Sequence, residues 1–350
     1  MKKLLALLLC AVLCLSLAAC ASNTATTTTE TTETTVEPAA EETASSDASA
    51  ETAQPAADAQ QYVVGICQLV QHDALDAATN GFMDALNEAL PGQVTFDLKN
   101  ASNDIPTCGT IVTGFVASNV DLILANATPA LQAASTATQT IPILGTAVTE
   151  YGVALDIKDF NGTVGGNISG TSDLAPLDQQ ADMLLELLPE AQNVGILYCS
   201  AEANSVYQAD VVKAALEEKG VTVTVYTFAD SNDVATVTQT ACAENDALYI
   251  PTDNTAASCT EAINNVAEPA GVPIVAGEEG ICKGCGIAAL SIDYYELGKT
   301  TGAMAAKILT GEANVSEMPI EYYQNPVKKY DAARCEALGI TVPADYVAIG

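Results

Sequence analysis

Tryptophan is absent from this chain of 350 residues, and basic side chains are scarce. The sequence holds 12 Lys and Arg residues against 44 Asp and Glu, so its formal net charge is −32. Proteins that bind nucleic acid neutralise its phosphates with clustered Lys and Arg, so this balance excludes nucleic acid as a partner. The excess of negative charge instead favours solubility.

Signatures of common enzyme classes are also missing. The chain has no Gly-x-Ser-x-Gly elbow, no Walker phosphate loop and no His-Glu-x-x-His zinc helix. Adjacent acids such as Glu278 and Glu279 could serve acid–base chemistry or glycoside cleavage, but neighbouring loop side chains usually point apart. We therefore expect neither enzyme activity nor a cofactor.

Candidate metal ligands are few and scattered. Eight cysteines follow residue 20, several of them within runs patterned as strands or helices, which favours buried or reduced thiols over disulfides. Cys282 and Cys285 form a lone Cys-x-x-Cys that could be half of a zinc site, a tight disulfide or a polar loop. Because the only histidine is His72 and no second such pair occurs, nothing completes a tetrahedral site, and we predict no metal.

The N-terminus has the pattern of an export signal. Lys2 and Lys3 precede an apolar run that ends in Leu17-Ala-Ala-Cys20, which predicts a secretory signal over residues 1–19. The run has about 16 residues, fewer than the ~20 that a membrane-spanning helix needs. An ordinary signal with an incidental cysteine is one interpretation. The ending also resembles the bacterial lipobox, which implies attachment of lipid (palmitate) at Cys20.

A polar segment follows the signal. Residues 21–61 consist almost wholly of Thr, Ala, Glu, Ser and Asp, with Val36 as the one large aliphatic side chain. Such a segment cannot bury enough apolar surface to offset its chain entropy, and its acidic residues repel one another, so we expect a disordered, extended tether. It would hold a folded body, starting near Tyr62, outside the cytoplasm and anchored by lipid to the cell membrane.

The body alternates short β-rich runs with amphipathic helical runs. Tyr62–Cys67 is predicted as a strand, and Asp73–Leu90 carries apolar residues at a helical period. The alternation continues through Val272–Ala276, and strands joined by crossover helices predict parallel, doubly wound sheets. A body of about 289 residues exceeds one hydrophobic core, so we expect an α/β protein with two lobes. Thr149–Ser172, rich in Gly, Asn and Asp, is the predicted first crossing between them.

Polar residues that follow the predicted strands are the candidate site, because ligands of open α/β sheets lie beyond the carboxyl ends of the strands. Each of them could merely cap a helix, but the convergence of so many hydroxyl, amide and acid groups favours a site. Three further residues also follow predicted strands: Glu202, Thr252 and Tyr294. The selected candidates are Gln71, His72, Thr128, Pro129, Ala147, Thr149, Ser172, Asn204, Ser205, Asp253, Asn254, Glu278 and Asp293.

Several of these segments resemble one known family. The most specific are Pro251-Thr-Asp-Asn-Thr255 and the Asp-Tyr-Tyr-Glu-Leu-Gly run within Ile292–Gly298. Gly170-Thr-Ser-Asp-Leu174 and Glu202-Ala-Asn-Ser205 also match. Over residues 62–350 the chain resembles the substrate-binding lipoproteins of ABC importers, in the branch for tryptophan and tyrosine transport. Cysteines at Cys67 and Cys199 depart from the family's usual small residues at strand ends.

The resemblance implies a type I periplasmic-binding fold whose two lobes close on a ligand by hinge motion. Three chain crossings would join the lobes, which we place at 62–171 plus 293–318 and at 172–292 plus 319–350. It further implies a monomer that captures a small amino acid, aromatic or hydrophobic, and delivers it to a membrane permease. A sugar- or nucleoside-binding lipoprotein of the same fold and a ligand-sensing lipoprotein are the alternatives.

An amino acid ligand needs donors for its carboxylate and an acceptor for its ammonium group. Hydroxyls at helix starts suit the carboxylate, and we predict this role for Thr128, Thr149 and Ser205. Asp253, directly after a buried strand, is predicted to bind the ammonium group, with Glu278 as second choice.

An aromatic ligand would also need an apolar pocket. Tyr198, Tyr294 and Tyr295 could stack on the ring, although the last two could equally be a packing pair. Sugar sites rely on stacking aromatics and arginine forks, whereas aromatic residues are 5% of this sequence and Arg334 is its sole arginine.

Overall fold

The structure, a computed structural model, describes residues 60–349. The predicted signal peptide, Cys20 and nearly all of the predicted tether therefore lie outside the described residues. Within residues 60–349, no helix combines the length and the apolar character that crossing a membrane requires.

Strands and helices alternate along the chain. The elements before the first crossing are β1 (Tyr62–Gln68), α1 (Asp73–Ala89), β2 (Val94–Asn100), α2 (Ile105–Ala117), β3 (Leu122–Asn126), α3 (Thr128–Ala137), β4 (Ile143–Val148), α4 (Tyr151–Ala154) and β5 (Ile168–Ser172). The next are α5 (Leu177–Leu187), β6 (Asn193–Cys199), α6 (Ala203–Glu218), β7 (Thr222–Phe228), α7 (Val234–Glu244), β8 (Ala247–Ile250), α8 (Asn254–Ser258), α9 (Thr260–Ala270), β9 (Ile274–Ala276), α10 (Glu279–Cys285) and β10 (Ala288–Ser291). The last are α11 (Tyr294–Leu309), β11 (Glu321–Tyr322), β12 (Val327–Tyr330), α12 (Ala332–Ala337) and β13 (Val347–Ala348).

The strands form two sheets, one in each lobe. The first has the order β2-β1-β3-β4-β5-β11 and the second β7-β6-β8-β9-β10-β12-β13. Every pairing between these strands is parallel except that of β10 with β12. Strands such as β3 are buried along their whole length, as expected when helices cover both faces of a parallel sheet. The predicted α/β fold with two doubly wound lobes is confirmed.

The segment Thr149–Ser172 is more than a crossing between lobes. It contains α4 and the fully buried strand β5, which pairs with β4 in the first sheet. The strand reads Ile-Ser-Gly-Thr-Ser and lacks the Val and Ile pattern of its neighbours, so its sequence does not signal a strand. The crossing itself is confined to residues 173–176.

The other two crossings are also short. Residues 292–293 lead from β10 to α11, and residues 323–326 lead from β11 to β12. Because β11 pairs with β5 of the first sheet, the predicted boundary at residue 318 is too early.

Helix α11 packs against α1 of the first lobe at very close range. A methyl group on Gly298 would overlap the carbonyl oxygen of Ala78, and one on Gly81 would overlap that of Tyr295. Since α11 begins directly after a crossing, this packing fixes Tyr294, in its first turn, where the two lobes meet.

Candidate functional site

A small pocket lies between the lobes, at the carboxyl ends of the strands. Its side chains nearly fill it in this structure, and the volume open to the centre of a water-sized sphere is only about 10 Å³. The lining comes from the starts of α1, α6, α8 and α11, from the ends of β4, β8 and β9, and from the first crossing. The lining residues are His72, Ala74, Leu75, Ala147, Thr149, Asp173, Asn204, Thr252, Asp253, Asn254, Ala257, Glu278 and Tyr294.

Hydrogen bonds across the pocket hold the lobes together. His72 Nε2 of the first lobe lies 3.2 Å from Asn254 Oδ1 of the second. Near them, Asn103 Nδ2 donates to Thr255 Oγ1 at 3.0 Å. The cleft between the lobes is therefore closed in this structure.

Seven of the thirteen predicted site residues line the pocket, and the structure places the other six elsewhere. Gln71 is exposed at the mouth of the cleft, and Asp293 caps α11 by accepting from Glu296 N. Neither residue contributes to the pocket lining. The seven that line it are His72, Ala147, Thr149, Asn204, Asp253, Asn254 and Glu278.

The remaining four predicted residues are buried beside the pocket. Ser172 Oγ donates to the carbonyl oxygen of Thr149, and Ser205 Oγ accepts from the neighbouring Asn204 amide. Thr128 is the first residue of α3 rather than its N-cap, and Pro129 follows it in the same buried turn. The carboxylate-binding role predicted for Thr128 and Ser205 thus has no support from the pocket geometry.

Glu202 organises one wall of the pocket without lining it. Its Oε2 accepts from Asn254 N at 3.0 Å and Asn254 Nδ2 at 2.6 Å, and its Oε1 accepts from Thr255 N and Oγ1. Because the amide nitrogen of Asn254 is engaged by Glu202, its oxygen faces His72, which must donate from Nε2. Burial lowers the pKa of His72, so the imidazole is neutral.

Asp253 is committed to backbone groups of its own lobe. Its Oδ1 accepts from Ala256 N and its Oδ2 from Cys199 N, both at 2.7 Å. Burial, with a further contribution from the charge of Glu202, raises the pKa of Asp253 to about 8. This carboxyl caps α8 and ties it to the end of β6, which weakens the case for the predicted contact with an ammonium group.

Glu278 is occupied in a similar way. Its carboxylate accepts from Gly280 N at 2.6 Å and Ile281 N at 2.5 Å, which caps α10. Burial raises the pKa of Glu278 to about 7. The Glu278 carboxylate therefore caps α10, as Asp253 caps α8, and is already occupied by backbone N–H groups.

Asp173 differs from the other acids because half of its carboxylate is free. Its Oδ2 accepts from Tyr294 Oη at 3.0 Å, whereas Oδ1 has no hydrogen-bond partner although the residue is only 4% exposed. Burial raises the pKa of Asp173, and the hydrogen bond from Tyr294 partly opposes that rise.

Asn204 carries a second free acceptor. Its Nδ2 donates to the carbonyl oxygen of Thr252 at 3.0 Å, and its buried Oδ1 has no partner. Among residues 60–349, three buried side-chain polar atoms lack a partner, and two of them, on Asp173 and Asn204, belong to residues that line this pocket. Buried polar atoms are nearly always hydrogen-bonded, which makes these two oxygens the candidate contacts for a ligand.

Sequence reasoning missed several lining residues for identifiable reasons. Asp173 follows β5, the strand that the sequence pattern did not reveal. Thr252 and Tyr294 follow predicted strands but were not selected. Ala74, Leu75 and Ala257 carry no polar group that could have drawn attention.

Candidate metal ligands in the described part of the chain do not converge. No group of three His, Cys, Asp or Glu residues within 60–349 could hold a metal ion. Cys282 and Cys285 are buried in α10 as free thiols, and the latter donates to the carbonyl oxygen of Ile281.

Comparison with known proteins identifies the family. The family described as ABC transporter substrate binding protein matches residues 63–347. The chain belongs to this family. This substrate-binding protein is 36% identical over 264 residues to a tyrosine-binding protein of Clostridioides difficile strain R20291. The aligned region covers 75% of this chain and 76% of the relative. The predicted resemblance to the branch for aromatic amino acids is confirmed.

Two solved structures, one with a bound ligand and one ligand-free and open, are similar to this substrate-binding protein. An ABC domain from Streptococcus pneumoniae in complex with L-Trp is 31% identical, with a TM-score of 0.78, and the match covers 81% of this chain and 97% of that one. A ligand-free, open substrate-binding protein from Clostridium difficile is 35% identical but has a TM-score of only 0.63, over 83% and 100% of the chains. The relative with the higher identity, whose structure is described as open, thus has the lower TM-score of the two.

Family membership also settles the general role. The protein is a solute-binding component of an ABC transporter, and such components act outside the cytoplasm and bind rather than convert their solutes.

Proposed function

We propose that this protein captures one aromatic α-amino acid between its lobes and delivers it to an ABC permease. The tyrosine-binding relative and the L-Trp complex support the ligand class.

The free acceptor on Asp173 carries this proposal. A buried carboxylate oxygen without a donor is costly, and none of the residues that line the pocket is Lys or Arg. The ammonium group of an amino acid brings both the missing donors and the missing positive charge. Asp173 thereby takes the role that the sequence suggested for Asp253.

The carboxylate end of the ligand has one hydroxyl placed for it. Of the three hydroxyl residues predicted for this role, Thr149 lines the pocket. Two residues earlier, Ala147 has a φ of 50°, a left-handed conformation at the point where the register between β4 and β5 shifts. Thr149 and this turn form the proposed carboxylate site.

A calorimetric and thermal-shift screen of the purified protein tests the proposal. Amino acids, sugars and nucleosides are compared, and we expect aromatic amino acids alone to raise the melting temperature by binding the folded state. Asp173→Asn should weaken that binding about 10- to 100-fold, because a charged hydrogen bond is lost. Asp121→Asn is the matched control, since Asp121 accepts from Val63 N in a surface loop away from the pocket.

The outcomes separate the hypotheses. A shift with a sugar or nucleoside, and none with amino acids, would overturn the ligand class. Binding of aromatic amino acids that is equally strong in Asp173→Asn would overturn the ammonium site alone.

We further propose that the protein is a lipoprotein, lipidated at Cys20 and held off the membrane by residues 21–61. The support is the sequence pattern around Cys20. Metabolic labelling with a palmitate analogue should mark the wild-type protein and not Cys20→Ala; labelling of both would contradict the anchor.

A further inference from the structure

The hydrogen-bond partners of Asn204 determine which way its side-chain amide is oriented. Its Nδ2 donates to the carbonyl oxygen of Thr252 at 3.0 Å and lies 3.4 Å from Glu202 Oε2. A carbonyl oxygen and a carboxylate can only accept, so the amide nitrogen must face them and cannot exchange places with the oxygen. The oxygen is therefore directed away from this pair, and it is left without a donor.

The side chain of Asn204 is held rigidly at the pocket wall. The residue is 4% exposed and lies in the first turn of α6. Donation toward Glu202 also polarises the amide and makes its oxygen a better acceptor.

The two free acceptors of the pocket are held by different parts of the protein. Asp173 is bonded to Tyr294 of α11, which packs on the first lobe, whereas Asn204 is bonded to Thr252 of the second lobe. The charged acceptor suits the ammonium group. The neutral acceptor can pair with an uncharged donor, such as a hydroxyl or a ring N–H group.

We propose that Asn204 Oδ1 accepts a hydrogen bond from the O–H or N–H group of the ligand's aromatic side chain, so that the pocket selects phenol or indole side chains against plain phenyl. The inference rests on the proposed capture of an aromatic amino acid. A site that hydrogen-bonds a ligand donor rejects the analogue without it, because the buried partner is then left unpaired.

Calorimetry with matched ligands tests this selection on the purified protein. L-Tyr and L-Phe differ by one hydroxyl, and L-Trp and 1-methyl-L-tryptophan differ in the indole N–H donor. We expect L-Tyr or L-Trp to bind about 100-fold more tightly than its donor-less counterpart.

Two variants then locate the discriminating group. Asn204→Ala should lower affinity for the donor-bearing ligand and reduce the ratio to about threefold or less, while affinity for the donor-less ligand changes little. Gln208→Ala is the matched control, because Gln208 Nε2 also donates to the carbonyl oxygen of Thr252, at 3.2 Å, but does not line the pocket. This control should retain the wild-type ratio, whereas a merely structural role of Asn204 would weaken both ligands equally.

The result that overturns the inference leaves the proposed function standing. The inference is overturned if the wild-type protein binds L-Phe with an affinity within about threefold of that for L-Tyr, and 1-methyl-L-tryptophan with an affinity within about threefold of that for L-Trp. The Asn204 amide then accepts no hydrogen bond from the ligand's side chain. This holds even if Asn204→Ala fails to fold. If no aromatic amino acid binds, the proposed function itself fails, and the inference fails with it.

Discussion

Tyr294 Oη donates a hydrogen bond to Asp173 Oδ2 over 3.0 Å, and both residues lie where the chain passes between the lobes. Asp173 opens the first crossing after β5, and Tyr294 follows the second crossing at the start of α11. The proposed ammonium site thus lies on the side of the cleft where the chain crosses between the lobes. A ligand that completes Asp173 would stabilise the closed arrangement of the crossings.

Tyr294→Phe should make ligand binding more dependent on pH. The Tyr294 hydrogen bond lowers the pKa of Asp173 against the effect of burial, so its loss raises that pKa further. The carboxyl of the variant therefore keeps its proton to a higher pH than that of wild type, and a protonated carboxyl binds an ammonium group poorly. We expect the affinity of Tyr294→Phe to recover toward that of wild type as the pH rises.

Calorimetry between about pH 6 and 8.5, with wild-type protein as reference, measures this effect within a range where the ligand's amino group stays largely protonated. Curves for Tyr294→Phe and wild type that run parallel would contradict it.

Asp253→Ala should mainly destabilise the fold. The sequence alone suggested that Asp253 binds the ammonium group of the ligand. The structure shows that it removes the cap of α8 and leaves Cys199 N buried without an acceptor. A lost cap costs about 1 kcal/mol and an unpaired buried N–H about 1–3 kcal/mol, so the free energy of unfolding should fall by about 2–4 kcal/mol.

Urea unfolding measures the change, and Asp104→Ala supplies a control in which only an exposed cap, that of α2, is lost. An Asp253→Ala protein with wild-type stability and no ligand binding would restore the ammonium role to Asp253.

The ligand-free protein should lose stability as the pH rises, in part through Glu278. Its pKa is about 7 in the folded state and near 4.5 without that environment. Between these values the folded state keeps a proton that the unfolded state has released, so a rise in pH favours unfolding. The effect should reach roughly 3 kcal/mol at pH 8.

Glu278→Gln removes this titration while keeping an acceptor for the first turn of α10. Melting temperatures from pH 5 to pH 8 should therefore fall less steeply in the variant than in wild type. Equal slopes would mean that Glu278 titrates normally in the folded protein.

Gly298→Ala should disrupt the contact that seats α11. The added methyl group would overlap the carbonyl oxygen of Ala78, so the helices must separate, at a cost of about 1–3 kcal/mol or more. Gly109→Ala in α2 is the matched control, because nothing lies within 4 Å of the added group. The control should gain about 0.5–1 kcal/mol from the better helix propensity of alanine. Chemical unfolding of both variants gives the comparison, and similar effects would argue against tight packing at Gly298.

The sequence by itself determined the class of fold and the family. Alternating apolar runs predicted the strands and crossover helices, because burial of a parallel sheet imposes that pattern locally. It failed at Ile168–Ser172, where Gly and hydroxyl residues form a buried strand through close contact with neighbouring elements rather than through their own propensity.

Only the tertiary structure decided which acid is available to a ligand. Asp173 and Asp253 each follow a strand, and local sequence does not distinguish them. Asp253 meets N–H groups brought to it by α8 and the end of β6, whereas Asp173 meets one tyrosine from a distant helix and keeps one oxygen free. The availability of a polar atom depends on which partners folding brings to it, and those partners lie far away along the chain.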